Sequence, residues 1–279
     1  MESSATQVAN HYSIDDLIEK LIDTLGIVGK DIDTLTVDDL APVDAFHTRG
    51  RKATLEAAAL IDIKPSHRIL DVGCGLGGTA RFLADRYGCQ VVGVDCTRDY
   101  ITAGNRLNEL VGLAGRVNLC EGDALSLMFD DRGFDCVWTE HVQMNIGDKN
   151  RFYSEIARVL KPGGHLLFHD VFRGTGTSPV YPVPWAENGE MSVLATEADA
   201  RVTVEKAGLE VQQWINKTSE SVHFFSKMVT RIKSSGLPPF GTHLLMGDNG
   251  PDKLENLFNN LQQDSLSVVL GLASRKLDE

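Results

Sequence analysis

The chain has 279 residues, a formal net charge of −12 and a hydrophobic fraction of 42%. The excess of acidic residues argues against nucleic acid or an anionic membrane as a partner, because both require basic surfaces. The length is sufficient to bury a large core within a single α/β domain, so no second domain is needed.

The cysteines and the first residues bear on the cellular compartment. The five cysteines are odd in number and form no Cys-x-x-Cys pair, which argues against a disulfide framework or a metal site. The start, Met1-Glu-Ser-Ser-Ala5, lacks the positive and apolar regions of a signal peptide, and no apolar run is as long as a membrane span. We therefore expect a cytoplasmic protein without a metal.

The chain begins with a helical pattern. Apolar residues recur at spacings of three and four, as in an amphipathic helix. We assign residues 1–45 to an N-terminal helical extension that either packs on a sheet edge or forms a lid over a ligand. The residues that carry the pattern are Ile14, Leu17, Ile18, Leu21, Ile22 and Leu25.

Strand-like and helical runs alternate in the middle of the chain. Helical patterns cover Thr79–Tyr87, Asp99–Val111 and Lys149–Leu160, and Gly88 and Gly163 follow two of them as predicted left-handed caps. Apolar strands that alternate with helices predict a parallel sheet covered on both faces. The predicted strands are 68–72, 90–94, 116–120, 134–139, 165–171, 209–216 and 266–274.

Two longer segments interrupt this alternation. Residues 172–194 are rich in Gly and Pro and too long for an ordinary connection, so they form either an active-site loop or a disordered segment. Residues 219–264 predict a helical insertion with one helix, a loop that contains Pro238, Pro239 and Gly241, and a last helix.

A glycine-rich turn follows the first predicted strand. Gly73, Gly75 and Gly78 fit the spacing G-x-G-x-x-G, which lets the chain turn tightly and lets a ligand approach the backbone. No Gly-Lys-Ser/Thr follows, which excludes a P-loop. The motif alone is also compatible with a dinucleotide site.

Acidic residues at the ends of the first three strands distinguish the possible ligands. In a parallel sheet, ligands lie beyond the carboxyl ends of the strands. There Asp71 could face an ammonium group, Asp95 could accept hydrogen bonds from ribose hydroxyls, and Asp123 could accept a hydrogen bond from an adenine amino group. The alternative is that each aspartate is a turn residue. All three in order favour an adenosine cofactor that carries an ammonium, such as S-adenosylmethionine.

Several motifs together resemble the class I S-adenosylmethionine-dependent methyltransferases. They are Asp71-Val-Gly-Cys-Gly-Leu-Gly77, Asp95, Gly122-Asp-Ala124 and Leu160-Lys-Pro-Gly-Gly164. The resemblance covers about residues 45–275. It implies an α/β, Rossmann-like sheet of seven mostly parallel strands over 46–279, with helices on both faces and one of the last two strands antiparallel. The predicted cofactor site comprises Asp71, Gly73, Cys74, Gly75, Asp95, Cys96, Asp123, Ala124, Glu140, His47 and Arg49.

Two shorter motifs resemble one group within that class. Glu140-His-Val-Gln-Met-Asn-Ile146 and Tyr181-Pro-Val-Pro-Trp-Ala186 resemble the sarcosine/dimethylglycine N-methyltransferases. Strand-like alternation would place His141, Gln143 and Asn145 on one side, where they are the predicted catalytic residues. His141 could take a proton as general base, or it could merely end the strand and hold the cofactor.

A further set of residues is predicted to bind the methyl acceptor. Tyr181 and Trp185 in the long loop, with Phe172, could favour a methylammonium group through cation–π attraction, or they could simply pin the loop. His169 and Asp170 end the fifth strand and could face the same pocket.

Other candidates carry weaker arguments. Arg49 could bind a carboxylate, with Arg51 as a competitor for that role. His223 and Phe224 are candidates in the insertion.

Three functions remain compatible with the sequence. The first is methyl transfer to the nitrogen of a small amine such as sarcosine or dimethylglycine. The second is O- or C-methylation of a phenolic, quinone or polyketide-like metabolite. The third is a non-catalytic sensor of the cofactor. A dehydrogenase would leave Asp71 and Asp123 unexplained and would lack a Tyr-x-x-x-Lys motif. We expect a small-molecule acceptor as partner, and a homodimer is compatible with the sequence.

Overall fold

The computed structural model describes residues 4–278, and its centre is a seven-stranded sheet with the order β3-β2-β1-β4-β5-β7-β6. Strands β1 to β5 pair in parallel, whereas β7 runs antiparallel to both β5 and β6. The predicted mostly parallel sheet is therefore confirmed, and its antiparallel member is the last strand. The strands are β1 (Arg68–Val72), β2 (Gln90–Asp95), β3 (Val117–Glu121), β4 (Phe134–Glu140), β5 (Leu160–Arg173), β6 (Leu209–Asn216) and β7 (Leu266–Arg275).

Helices cover both faces of this sheet. Successive side chains of a strand point to opposite faces, so Ile69 packs with Leu83 on one face and Leu70 packs with Ile156 on the other. The helices are α1 (Ser4–Tyr12), α2 (Leu17–Ile27), α3 (Val37–Asp44), α4 (Arg51–Ala58), α5 (Gly78–Tyr87), α6 (Arg98–Leu110), α7 (Lys149–Val159), α8 (Glu197–Lys206), α9 (Thr218–Ser235) and α10 (Gly250–Gln262).

One strand boundary differs clearly from its prediction. β5 begins at Leu160 instead of residue 165, because Leu160 already pairs with Phe134 of β4. Gly163 has a φ of 74° inside this strand and does not cap α7, so its predicted role is wrong. Gly88, by contrast, is the left-handed C-cap of α5, with a φ of 70°.

The N-terminal helices pack on the side of the sheet that carries α6. Leu17, Leu21 and Leu25 of α2 are buried in a cluster with Leu107 of α6. The assignment of 1–45 as a separate extension and of 46–279 as a domain stays a prediction. Residues 1–3, part of the start interpreted above as lacking a signal peptide, and residue 279 lie outside the described residues. Within residues 4–278, no helix is both long and apolar enough to cross a membrane.

The strand order reverses between β1 and β4. The chain runs from β1 outward through β2 to β3 and then returns to the other side of β1. In such sheets a crevice forms beyond the carboxyl ends of the strands at this point. Asp71, Asp95 and Asp123 lie at this edge of the sheet, which is therefore the expected position of a binding site.

Candidate active site

A cavity with about 1250 Å³ of empty space, partly open to solvent, lies beyond the carboxyl ends of β1, β2 and β4. We call it the first cavity. Every predicted cofactor residue except Arg49 lines it, together with Asn145, His141 and Trp185. The predicted cofactor residues that it gathers are Asp71, Gly73, Cys74, Gly75, Asp95, Cys96, Asp123, Ala124, Glu140 and His47.

The glycine-rich turn forms the floor of this cavity. Gly73 and Gly75 have φ values of 73° and 52°, a backbone region that residues other than glycine rarely adopt. A Cβ atom on Gly73 would collide with Val142. The Gly75 backbone N–H donates to Oδ2 of Asp95 at 2.9 Å, so the turn and the second acidic residue hold each other.

Asp71 contributes an unpartnered carboxylate oxygen. The residue is only 3% exposed, and its Oδ2 has no hydrogen-bond partner in the described part of the chain. Burial, helped by the nearby Glu140, raises the pKa of Asp71 well above its usual range. A buried oxygen without a partner is costly, so this one calls for a ligand that donates a hydrogen bond or carries a positive charge. The α-ammonium group of S-adenosylmethionine meets both requirements.

Asp95 and Asp123 are fixed by backbone donors. Oδ1 of Asp95 accepts from the Thr97 N–H at 2.9 Å, and Oδ1 of Asp123 accepts from the Leu125 N–H at 2.8 Å. Each carboxylate oxygen can accept more than one hydrogen bond. Both side chains therefore retain acceptor capacity toward the cavity, which suits ribose hydroxyls and an amino group. The residues present fit S-adenosylmethionine.

Glu140 is held at the inner wall by two threonines and a histidine. Thr79 Oγ1 donates to Oε2 at 2.5 Å, and Thr54 Oγ1 donates to Oε1 at 3.1 Å. Nε2 of His47 lies 3.4 Å from Oε1 of Glu140. These contacts link α4, α5 and β4 around one carboxylate.

His141 follows β4 in a left-handed conformation, with a φ of 56°. Its Nε2 lies 3.3 Å from the Thr48 backbone nitrogen and 3.1 Å from Thr48 Oγ1. Burial, with a contribution from His47, holds the pKa of His141 well below its usual range. His141 is therefore neutral at physiological pH.

A second cavity, of about 1160 Å³ of empty space, adjoins the first. His47, His141 and Trp185 line both cavities and form a shared wall with Phe46 and Pro184. The rest of the second cavity is made mainly by α9, α10 and the segment between them. No Asp or Glu is among its described lining residues. Its aromatic members are Phe46, Trp185, Phe224, Phe225 and Phe240.

Among the predicted cofactor and catalytic residues, Arg49 and Gln143 line neither cavity, and each has a partner inside the protein. Arg49 is buried at 3% exposure and forms an ion pair with Glu56, so its contact with the cofactor stays a prediction. Gln143 is fully buried and donates to the Val171 carbonyl. The predicted alternation fails here, because Gln143–Asn145 is a 3-10 turn and not a continued strand.

Of the residues predicted to bind the methyl acceptor, some line the cavities and others do not. Trp185 lines both cavities, with its Nε1 donating to Ser192 Oγ at 2.9 Å. Tyr181 lines neither and packs with the apolar cluster around α10, and Phe172 packs against Trp214 on the other side of the sheet.

The two candidates that were predicted to end the fifth strand lie within β5 and line neither cavity. His169 is buried behind His141, with the ring centroids 5.5 Å apart, and lines neither cavity. Asp170 is buried and accepts from the Val142 N–H at 3.0 Å.

In the insertion, Phe224 lines the second cavity and His223 lines neither.

The lid alternative for residues 1–45 named none of the α1 residues that line the first cavity. Ala5, Val8 and Tyr12 line the first cavity from this helix, and Tyr12 Oη donates to Asn145 Oδ1 at 3.5 Å. Their spacing of three and four places them on one helix face, which is a pattern that the sequence contains.

Lys149 was also missed. Its Nζ donates to the carbonyls of Gln143, Ile146 and Val193 at 2.9, 2.8 and 2.6 Å, and so fixes the turn that follows β4.

The sheet order, the glycine turn and the three acidic residues define a class I S-adenosylmethionine-dependent methyltransferase fold. Residues 70–168 match the model of a methyltransferase domain, and this part of the chain is such a domain.

Curated relatives match about half of the chain or somewhat less. The glycine/sarcosine/dimethylglycine N-methyltransferase of Actinopolyspora halophila is 34% identical over 46% of this chain and 23% of its own length. Methyltransferase GfsG of Streptomyces halstedii is 33% identical over 49% of this chain and 50% of its own length. The 24-methylenesterol C-methyltransferase 2 of Oryza sativa subsp. japonica is 30% identical over 55% of this chain and 44% of its own length. The chain thus spans half or less of the length of these relatives.

Solved structures match nearly the whole chain. The cyclase SpnF aligns over 99% of this chain and 98% of its own, with a TM-score of 0.74 and 21% identity. Phosphoethanolamine N-methyltransferase 2 of Haemonchus contortus, in complex with S-adenosylmethionine, aligns over 99% of this chain and 60% of its own, with a TM-score of 0.75 and 21% identity. At these identities the likeness shows the fold alone.

Proposed function

We propose that this chain transfers a methyl group from S-adenosylmethionine to an oxygen or carbon of an apolar small molecule. The observation that carries the proposal is the second cavity, which adjoins the first cavity and has no acidic residue among its described lining residues. S-adenosylmethionine, when bound, supplies a methyl group that its sulfonium already activates.

The first cavity provides the cofactor side of this proposal. The unpartnered oxygen of Asp71 would receive the ammonium group, and Asp95 and Asp123 would receive the ribose and the adenine. Val8 and Tyr12 of α1 close the cavity from the other side and would limit the entry of water. Two reactants held in attack geometry account for roughly 7–11 kcal/mol of barrier lowering, so alignment is the main task of the enzyme.

The second cavity provides the acceptor side. Its aromatic and aliphatic lining favours an apolar body, since burial of apolar surface contributes about 25 cal/mol per Å². The charged residues on its wall, Arg51 and Arg231, are both basic, although the whole chain has a net charge of −12. A cationic acceptor would find no carboxylate there, whereas a neutral or anionic acceptor meets no repulsion.

Methylation of a small amine such as sarcosine or dimethylglycine is the second candidate. Glu140 in the first cavity could face an ammonium group, and the similarity to a glycine/sarcosine/dimethylglycine N-methyltransferase supports it. On this alternative the acceptor would occupy the first cavity beside the cofactor, and the second cavity would have no role in the reaction.

The test is an assay that detects S-adenosylhomocysteine together with the methylated product. The acceptors form two matched sets, apolar phenols and enols on one side and glycine, sarcosine and dimethylglycine on the other. The proposal predicts turnover with members of the first set. Turnover with the methylated glycines alone would reject it in favour of the amine alternative. Tight cofactor binding without turnover in either set would favour a sensor.

A substitution that takes up space in the second cavity tests whether the acceptor binds there. Met228 of α9 lines the second cavity, whereas Ser226 on the same helix is exposed and lines neither cavity. We expect Met228→Trp to abolish acceptor turnover while the Kd for S-adenosylmethionine stays within about twofold, because only the acceptor space is filled. Ser226→Trp, which introduces the same side chain outside the cavity, should retain acceptor turnover and the Kd for S-adenosylmethionine. Equal effects of the two variants would refute the assignment of the cavity.

A further inference from the structure

Two histidines meet at the wall that the two cavities share. The ring centroids of His47 and His141 are 6.2 Å apart, and both rings line both cavities. A neutral imidazole has one nitrogen that donates and one that accepts, and the hydrogen bond at one nitrogen determines the role of the other. The partners of each ring therefore reveal what it offers to a bound molecule.

The contacts of His47 assign its proton to Nε2. This nitrogen lies 3.1 Å from the Gly50 carbonyl oxygen and 3.4 Å from Oε1 of Glu140, and both of these atoms can only accept. It also lies 3.1 Å from Thr54 Oγ1, whose own hydrogen is directed to Glu140. Nδ1 has no hydrogen bond within the described residues, so in the neutral ring the lone pair of His47 is available to a ligand.

The contacts of His141 assign the opposite tautomer. The Thr48 backbone N–H can only donate, and it lies 3.3 Å from Nε2 of His141. The Thr48 hydroxyl lies 3.1 Å from the same nitrogen. Nε2 therefore accepts, and the proton of the neutral ring is on Nδ1. His141 therefore offers a donor at its Nδ1, whereas His47 offers an acceptor at its own Nδ1, and both rings line the shared wall.

We propose that His47 is the general base of the reaction and that His141 is the hydrogen-bond donor to the acceptor oxygen, so that the substrate class is an apolar molecule with an acidic hydroxyl or enol. This inference rests on the proposed function and names the substrate group that the shared wall recognises. It reverses the sequence-based choice of His141 as the base, because Thr48 already occupies the lone pair of His141.

Methyl transfer and loss of the hydroxyl proton belong to one step. The acceptor oxygen, or the carbon of its enol, forms a bond to the methyl carbon as the bond from sulfur to that carbon breaks, and the bonding pair stays on sulfur. The hydroxyl proton moves to Nδ1 of His47. The resulting imidazolium is stabilised by Glu140, whose Oε1 lies 3.4 Å from Nε2. The N–H of His141 supports the oxygen as negative charge develops on it.

The two tautomers can be measured without any substrate. In protein labelled with ¹⁵N-histidine, long-range ¹H–¹⁵N spectra distinguish an Nε2–H ring from an Nδ1–H ring. Among the signals of the eight histidines of the chain, those of His47 and His141 are identified by their loss in His47→Asn and His141→Asn. We expect Nε2–H for His47 and Nδ1–H for His141. The reverse pattern, or the same tautomer for both, would overturn the proposal even if every acceptor in the panel were inactive.

Kinetics provide a second readout once a phenol or enol turns over. His47→Gln and His47→Asn should lower kcat by about 10²–10⁴-fold, which is the usual contribution of a general base, with little change in the acceptor KM. His223, which lines neither cavity, is the matched control as His223→Asn and should keep the parent kcat. A kcat of a folded His47 variant within threefold of the parent would overturn the proposal while leaving the methyltransferase assignment intact.

Discussion

Replacement of Asp71 by Asn should change cofactor affinity and ligand-free stability in opposite directions. Oδ2 of Asp71 is unpartnered and the residue is 3% exposed, so a bound ammonium would be its main partner. A hydrogen bond to a charged group contributes about 1.5–3 kcal/mol. Since 1.4 kcal/mol is a factor of ten, the Kd for S-adenosylmethionine should rise by ~10- to 150-fold in the variant, as measured by isothermal titration calorimetry.

The ligand-free variant should be at least as stable as the parent. Burial raises the pKa of Asp71 well above its usual range, which means that the charged form is unfavourable in the folded chain. Removal of that charge should therefore raise the Tm, by ~2–4 °C for each kcal/mol gained. Asp85→Asn on the exposed surface of α5 is the matched control and should leave both quantities unchanged. An unchanged Kd in a folded Asp71→Asn variant would refute the ammonium site.

Two further predictions concern the parts of the structure around the cavities. Deletion of residues 1–12 removes Val8 and Tyr12 from the first cavity, so the Kd for S-adenosylmethionine should rise by ~10-fold or more in calorimetry. An unchanged Kd would contradict a closing role for α1. Burial raises the pKa of Asp170 to about 7, above its unfolded value, so its contribution to stability is present at low pH and is lost as the pH rises through 7. The Tm of Asp170→Asn relative to the parent should therefore increase between pH 5 and pH 8, and a constant difference would reject this reasoning.

The sheet and the cofactor side of the site follow from local sequence patterns. Apolar strands that alternate with amphipathic helices determine most boundaries, and Asp71, Asp95 and Asp123 each lie at or just beyond a strand end. Residues at the carboxyl ends of neighbouring parallel strands are brought together by the fold itself. For that reason all three could be placed at one rim without knowledge of any contact.

The side chains that the sequence pattern misplaced share a different cause, which is competition from other polar partners in the folded chain. Arg49 has the right charge for a carboxylate ligand, but Glu56 binds it inside the protein. Gln143 fits the strand alternation in the sequence. In the structure it lies in a 3-10 turn, and its buried side chain donates to the carbonyl of Val171. The tautomers of the two wall histidines depend on Thr48 and Gly50 and on the path of the turn between α3 and α4. Such contacts cannot be derived from the pattern of one segment.

The acceptor side was the least accessible to sequence reasoning. The second cavity is built from α9, α10 and the segment between them, and its apolar residues look like ordinary core residues of those helices. Only the folded arrangement leaves a space between Phe225 and the shared wall.

A crystal structure with S-adenosylhomocysteine and the phenol or enol that turns over best tests the proposed active site most directly. We expect the apolar body of this acceptor to occupy the second cavity, with its oxygen between Nδ1 of His47 and Nδ1 of His141. An acceptor that lies entirely in the first cavity beside Glu140, with the second cavity free of it, would contradict the account and favour the amine alternative.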